Sequence, residues 1–421
     1  MKTWLSYLGA AAMGLAIQVL FKDNVAFYSI MANISAIMIK LGAFIVFPMV
    51  LFTMASGTAS LGKTKGENSF VWVTTIFWAI FTTLLMAAIG ALAFNLFPAT
   101  FPITTTVPSS TAEASALFEN LASITGSKIS ANNPIAVNSF TNLFKSSDCF
   151  LCIIVLALVF GYAARPTTEV MRPAYQVLNS VSEVMFRLAR QIAKLLWIGI
   201  FFIAGSWFAA LWYDKTIFFS YRFVILLVIA SAICLLVLIP FVFCLFTGFK
   251  RNPYRQILRL ISAATASFFS VNYLFSQTVL YTDCRINLGI QKKVVSTALP
   301  LHSLITKGGT AMLSTLCSCS LCYTVYGSMP TITDCIAIAI ACSLVSFICC
   351  LHAGYEVLFA SSFAFSLMNG NFAGYEFAIV GILPVLNGLA LLFDTVLSGL
   401  GTSYTAYKMK ADSNIREADT V

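Results

Sequence analysis

The chain has 421 residues, of which 59% are hydrophobic and only 10% are charged, and its mean hydropathy is +0.89. A soluble domain carries about 25% charged residues. The composition therefore excludes a soluble domain of useful size and predicts a protein that crosses a membrane many times. We attribute the formal charge of +9 to membrane topology and predict no nucleic-acid partner.

Apolar segments follow one another along nearly the whole chain, which is too many for an anchored enzyme. We interpret the first as a retained helix rather than a signal peptide, because no small-residue cleavage site precedes Lys22. The segments, whose ends a sequence fixes only to within a few residues, are roughly 4–21, 41–62, 69–98, 148–164, 192–213, 220–248, 256–282, 294–326, 333–369 and 373–407.

The basic residues predict the orientation of these segments. Cytoplasmic loops of membrane proteins are enriched in Lys and Arg, and a cytoplasmic N-terminus places most of the cations on the inner side. We therefore predict a multi-pass protein of the cytoplasmic membrane with both termini in the cytoplasm. The inner-side cations are Lys63, Lys65, Arg165, Arg172, Arg187, Arg190, Lys194, Lys250, Arg251, Arg255, Arg259, Arg285, Lys292, Lys293, Lys408, Lys410 and Arg416.

Two of the apolar segments are predicted to be re-entrant hairpins, because this charge pattern requires each to enter and leave on the same side. The segment 256–282 carries Ser-Gln-Thr at 276–278, and the segment 333–369 carries CCLHAGYE at 349–356. We expect these small and polar residues at the hairpin tips. Two hairpins of opposite orientation, each followed by a further span, indicate the inverted repeats of secondary transporters.

A broken helix is predicted in the segment 298–312, where Lys307, Gly308 and Gly309 interrupt an apolar run. Irregular backbone at membrane depth is tolerated only where protein or a water-filled cavity satisfies its hydrogen bonds, and transporters bind ions and substrates at such breaks. The segment therefore favours transport over anchorage. The long polar stretch of residues 98–147 is predicted to be an external loop with no catalytic role.

Several motifs resemble those of the dicarboxylate/amino acid:cation symporters, the glutamate and aspartate transporters. The sequence LPLHSLITKGGTA at 299–311 is similar to the family's seventh span, and FPMVLFTMASGTASLG at 47–62 is similar to its second. NPIAVN at 133–138 and WIGIFF at 197–202 resemble its segments before the fourth span and in the fifth. The order and spacing of these matches cover essentially the full chain.

The resemblance implies the glutamate-transporter-like elevator fold, which is all-α and has eight transmembrane helices, two re-entrant hairpins and inverted repeats. It also implies a homotrimer in the lipid bilayer. The implied parts are scaffold spans 1 and 2 at 1–68, span 3 of the transport domain at 69–98, the external loop at 99–147, scaffold spans 4 and 5 at 148–218, the rest of the transport domain at 219–409 and a cytoplasmic tail at 410–421.

The resemblance also implies the residues of the site. The substrate residues are Ser276, Thr278, Thr310, Asn387 and Asp394. The cation site, or what replaces it, comprises Thr306, Lys307, Gly308, Asn387, Asp394 and Ser398. No cofactor beyond a coupling Na⁺ or H⁺ and no metal site is implied.

The chain departs from the family pattern within this site. Gly308 stands where the family has a sodium-coordinating carboxylate, and Ala390 stands where an arginine binds the substrate's side-chain carboxylate. A carboxylate in a dry pocket needs a guanidinium or an equivalent donor set, and sodium prefers several oxygen ligands with negative charge. These departures predict an altered substrate and cation site.

Lys307 has three open interpretations. Its ammonium balances Asp394 in place of a bound cation, it attracts an anionic substrate, or it only pairs with Asp394 or Glu356 beside a polar cavity. His302 and His352 are further ionisable groups. One interpretation is that they relay protons, and the other, for His302, is a hydrogen-bonded helix residue. The twelve cysteines are interpreted as small packing residues.

The sequence therefore predicts a symporter that moves a small amino acid, a dicarboxylate or a related organic anion. The alternative is a channel-like or non-transporting scaffold that conducts anions. The chain has no Walker loop, nucleophile elbow or His-Glu-x-x-His pair, so we predict neither an enzyme nor an ATP-driven pump.

Overall fold

The computed structural model describes residues 3–21, 25–62, 67–101, 150–166, 169–214, 221–349, 355–367, 379 and 382–410. Several predicted features lie outside these ranges. They are the NPIAVN motif, the external loop beyond residue 101, His352 with most of the second hairpin tip, and the tail beyond residue 410.

Most of the described residues lie in helices. The first seven are α1 (Thr3–Leu20), α2 (Val25–Leu61), α3 (Glu67–Leu96), α4 (Phe150–Ala163), α5 (Arg172–Asp214), α6 (Tyr221–Ile233) and α7 (Ile239–Thr247). A 3₁₀ turn, Glu169–Met171, precedes α5, and a π-helical turn, Cys234–Leu238, joins α6 to α7. The next five are α8 (Pro253–Arg259), α9 (Ile261–Ser270), α10 (Tyr273–Thr282), α11 (Lys292–Ile305) and α12 (Gly308–Tyr326). The last three are α13 (Ile332–Cys349), α14 (Glu356–Leu367) and α15 (Leu383–Lys408).

Six helical stretches in the described part are long and apolar enough to cross a membrane. They are Thr3–Leu20, Ser29–Leu61, Glu67–Leu96, Glu169–Trp207, Tyr221–Thr247 and Leu383–Lys408. The predicted fourth span, α4, has 14 residues, and the predicted seventh is divided into α11 and α12. The predicted hairpins correspond to the pairs α9–α10 and α13–α14.

Two helices begin well before the apolar segments that predicted them. α2 starts at Val25 rather than near residue 41, and α5 starts at Arg172 rather than near 192. The early parts contain polar residues such as Asn33 and Arg187, which lower the hydropathy of a sliding window. They contain no Gly, and Pro173 lies in the first turn of α5, where proline is tolerated, so the helical hydrogen bonds continue through them.

The first hairpin turns at a different place from the one predicted. Its turn is Val271 and Asn272, and Ser276 lies within α10 rather than at the tip. Val271 has φ +50°, and the Asn272 side chain accepts hydrogen bonds from Leu274 N at 2.9 Å and Phe275 N at 3.3 Å. Asn272 therefore caps α10, a strong local signal that the prediction from polarity alone overlooked.

The helices pack in two groups. In the first, α2 packs against α4 and α5, and α1 packs against α5. In the second, α12 packs against α3, α13, α14 and α15, α9 and α11 pack against α15, and α10 packs against α9. The groups meet where α2 contacts α10 and α11, α5 contacts α9 and α10, and α1 contacts α9. We call them the α2–α5 group and the α12–α15 group.

The centre of the α12–α15 group holds the polar residues. Every residue of α12 from Gly308 to Cys322 is buried, whereas α6, α7 and the π-helical turn between them expose large apolar side chains such as Val228, Leu236 and Phe241. Lipid is an apolar solvent, so such an exposed face is expected on a membrane helix. The candidate site is therefore enclosed by protein.

Candidate functional site

The centre of the site is the break between α11 and α12. Pro300 lies within α11, and the helix ends after Ile305. Thr306 is extended, with φ −80° and ψ 95°, and Lys307 has φ −120° and ψ 38°. α12 then begins at Gly308. The predicted break is thus present, and it leaves the first N–H groups of α12 without intrahelical partners.

The Asp394 carboxylate on α15 accepts hydrogen bonds from these N–H groups at the start of α12. Its Oδ1 accepts hydrogen bonds from Gly309 N at 2.6 Å and Thr310 N at 3.4 Å, and its Oδ2 accepts one from Thr310 Oγ1 at 2.7 Å. Asp394 is 4% exposed. The positive end of a helix dipole favours a carboxylate at this position, so Asp394 joins α15 to the broken span.

Two glycines allow α12 to approach its neighbours closely. A Cβ on Gly309 would lie 2.5 Å from Phe393 Cβ and would also collide with the backbone oxygen of Ala390. A Cβ on Gly308 would lie 2.6 Å from Leu397 Cδ1 and 3.0 Å from Met86 Cγ. Gly308 therefore occupies a position too crowded for a carboxylate unless these side chains move.

Lys307 is enclosed at the break and is only 1% exposed. Its Nζ lies over the Tyr273 ring, 4.7 Å from the ring centroid, which is cation–π geometry. Its charge also attracts the Asp394 carboxylate. Among the described residues, no carboxylate oxygen lies within 4.0 Å of Lys307 Nζ.

The predicted site residues of α15 lie on both sides of Asp394. Ser398 Oγ donates to the His302 carbonyl at 3.3 Å. Asn387, seven residues before Asp394 and therefore about two turns away, accepts a hydrogen bond at its Oδ1 from Val357 N at 3.1 Å. α15 therefore joins the break to the first turn of α14 in the second hairpin.

Two predicted substrate residues form no side-chain hydrogen bond with the described residues of the break. Ser276 Oγ donates to the Tyr273 carbonyl at 3.0 Å within α10. Thr278 is buried, and its hydroxyl has no hydrogen-bond partner in the described part of the chain. The neighbouring Gln277 does reach α11, since its Oε1 accepts from Ser303 Oγ at 3.2 Å.

His302 lies in a hydroxyl network behind the break. Its Nδ1 is 3.3 Å from Thr306 Oγ1, and its Nε2 is 3.3 Å from Thr405 Oγ1 and 3.5 Å from Thr75 Oγ1. The fully buried imidazole thus holds Thr306 in its extended conformation and connects α11 to α3 and α15. Within the residues that the structure covers, no cluster of His, Cys, Asp or Glu is arranged to hold a metal.

Sequence reasoning missed two residues of this arrangement. Tyr273 lies under the Lys307 ammonium, and Trp78 Nε1 donates to the Leu397 carbonyl at 3.1 Å. No local motif identifies them, because each is brought to the site by packing between distant segments. The sequence pointed to Gln277 only as part of the predicted hairpin tip at 276–278, whereas the structure places its side chain against α11.

Comparison with known families decides the classification. The model of the sodium:dicarboxylate symporter family matches residues 3–380. The chain belongs to this family. Membership confirms the resemblance drawn from the motifs and the helical membrane fold class, and the apolar helices agree with a multi-pass membrane protein. The family is one of solute transporters.

Curated relatives of this symporter family are similar at low identity. The chain is 24% identical over 273 residues to the serine/threonine transporter SstT of Bifidobacterium adolescentis, covering 65% of this chain and 58% of the relative. It is 26% identical over 203 residues to the proton/sodium-glutamate symport protein of Geobacillus stearothermophilus, covering 48% and 47%. The neutral amino acid transporter B(0) of Oryctolagus cuniculus is 22% identical over 305 residues, covering 66% and 55%. The chain thus spans about half the length of the curated relatives it matches.

Proposed function

We propose that the chain is a secondary active transporter that moves a small amino acid, a dicarboxylate or a related organic anion across the cytoplasmic membrane. The observation that supports this most strongly is the break at Thr306 and Lys307, enclosed by protein and bound by Asp394. A helix break with buried charge in a membrane protein is costly and is used by transporters to bind their solutes. The names of the relatives support amino acids as the solute class.

The packing supports an elevator as the transport mechanism. The α2–α5 group corresponds to the scaffold, and the α12–α15 group corresponds to the transport domain that carries the site. Contacts between the groups include the ion pair of Glu183 on α5 with Arg285, at 2.9 Å, after the first hairpin. In this proposal the protein is a homotrimer with cytoplasmic termini, and the second hairpin opens and closes the site.

The proposed coupling ion is Na⁺ or H⁺, as in the names of the family and of the glutamate symporters. The site residues proposed for solute and cation are those at the break and on α15: Thr306, Lys307, Gly308, Thr310, Asn387, Asp394 and Ser398. Ser276 and Thr278 are proposed to reach the solute from α10 of the first hairpin.

Counterflow in liposomes tests this function. Purified protein is reconstituted and loaded with unlabelled solute, and uptake of labelled neutral amino acids, acidic amino acids and dicarboxylates is followed with Na⁺ and with K⁺ in its place. Saturable, solute-specific exchange is the expected result. Anion current without exchange of any solute would contradict the carrier and support the channel-like alternative.

A further inference from the structure

The Lys307 ammonium has unused donors. An ammonium offers three N–H groups. Within the described ranges this one donates no hydrogen bond and forms no ion pair closer than 4.0 Å, and it lies over the Tyr273 ring, 4.7 Å from the ring centroid. The side chain is 1% exposed, so bulk water does not replace the missing partners. A buried charge with free donors is expected to bind an anionic group.

The nearby carboxylate does not fulfil that role. Asp394 already accepts three hydrogen bonds from Gly309 and Thr310, which hold it at the first turn of α12. Its charge attracts Lys307 through space without direct contact. Asp394 therefore compensates the ammonium electrostatically and leaves the donors of Lys307 available to a ligand.

We propose that the Lys307 ammonium binds the carboxylate of the transported solute and that the solute is a zwitterionic amino acid with one carboxylate. This inference rests on the proposed transport function and narrows its substrate class. α15 contains no arginine that could bind a carboxylate, and this proposal gives that role to Lys307 in the broken span.

The balance of fixed charge selects the zwitterion. Lys307 contributes one positive charge and Asp394 one negative charge, so the break is close to neutral. Glu356, fully buried at the start of α14, is acidic and therefore cannot pair with a second carboxylate of a solute. Within the described parts of α9 to α15, the remaining cations lie near helix ends or in connections, at Arg285, Lys292, Lys293 and Lys408. A dicarboxylate would bring a second negative charge that no described cation at the break compensates.

The experiment measures binding separately from transport. Thermal unfolding of the purified full chain is followed with three added compounds. They are serine, serine amide, in which a neutral carboxamide replaces the carboxylate, and succinate. Serine is expected to raise the melting temperature. The amide and succinate are expected to do so only at concentrations at least about tenfold higher. The amide loses the charge-assisted hydrogen bond to Lys307, and succinate brings a second carboxylate that stays unpaired. Equal stabilisation by serine and its amide would overturn the assignment without any variant.

Matched variants identify the residue. Lys307→Met removes the charge and keeps the length of the side chain, Lys307→Arg keeps the charge, and Lys293→Met is the control because Lys293 pairs with Glu67, away from the break, at 3.2 Å. We expect K307M to weaken serine binding by at least about tenfold, K307R to keep part of it and K293M to bind like the unmodified protein. Unchanged serine binding by K307M would overturn the proposal.

Counterflow distinguishes the two levels of inference. Exchange of serine but not of its amide supports both the transport function and the role of Lys307. Exchange of succinate in preference to serine, or of the amide as readily as serine, contradicts the role of Lys307 while the transport function stands. Absence of exchange and of stabilisation by every compound tested would contradict both.

Discussion

Two charged clusters in this molecule use similar residues in different ways. At the break, Asp394 is bound by backbone N–H groups and a hydroxyl, with Lys307 enclosed beside it. Where α5 meets the connection after the first hairpin, Glu183 is bound only by side chains: Arg285 at 2.9 Å and Lys292 at 3.4 Å. The first cluster lies within one group of helices and the second joins the two groups.

The two clusters differ in solvent exposure, and therefore in how strongly their charge interactions are screened. The Glu183 side chain is 32% exposed and Arg285 is 17% exposed, so water and salt screen their attraction. Asp394 has almost no access to water, and its removal would leave buried donors and a buried cation without compensation. We therefore expect the break to contribute mainly to stability and binding, and the interface pair mainly to the relative motion of the two groups.

The largest effect is expected from Asp394→Ala. The change leaves Gly309 N, Thr310 N and the Thr310 hydroxyl without an acceptor and Lys307 without its counter-charge. Breaking a buried charge network of this kind costs about 3–5 kcal/mol. Thermal unfolding in detergent measures it, with Asp334→Ala as control, because Asp334 accepts hydrogen bonds from exposed Thr331 at the start of α13. Equal losses in the two variants would contradict the comparison.

A smaller loss is expected from Gly309→Ala. The new methyl group meets the Ala390 carbonyl and lies 2.5 Å from Phe393 Cβ, and overpacking of this kind typically costs about 1–3 kcal/mol. Gly9→Ala on α1 is the matched control, since a Cβ there meets nothing within 4 Å. The control is expected to be neutral or stabilising by up to about 1 kcal/mol. A G309A protein as stable as G9A would show that α12 and α15 do not need this close approach.

The sequence predicted the fold better than it predicted the site. Apolar segments and the Lys307-Gly308-Gly309 run located the helices and the break because both depend on local composition. The turn of the first hairpin was misplaced because polarity was weighed above the capping role of Asn272. The Tyr273 contact with Lys307 and the hydrogen bonds of Asp394 join residues far apart in the chain, so no spacing rule within one segment reveals them.

Asn272→Ala tests the corrected position of the hairpin turn. The change removes the acceptor for Leu274 N and Phe275 N, and loss of such a cap costs about 1 kcal/mol. We expect a modest decrease in the melting temperature. Ser276→Ala is the control, because that hydroxyl bonds only to a carbonyl of its own helix, and its effect should be smaller. A larger loss in S276A would favour a turn near residue 276.

The smallest change in stability, and a distinct change in rate, is expected from Glu183→Gln. An ion pair of this partial exposure contributes about 1 kcal/mol or less, so the melting temperature should hardly move. If the α12–α15 group moves against the α2–α5 group, the pairs of Glu183 with Arg285 and Lys292 must break in each cycle. Weakening them lowers the barrier to leaving this conformation, and counterflow at saturating solute should become faster.

The control is Glu67→Gln on α3, which removes the partner of Lys293 on α11. That pair involves no helix of the α2–α5 group. An E183Q rate equal to that of E67Q would show that the Glu183 pair does not limit the motion.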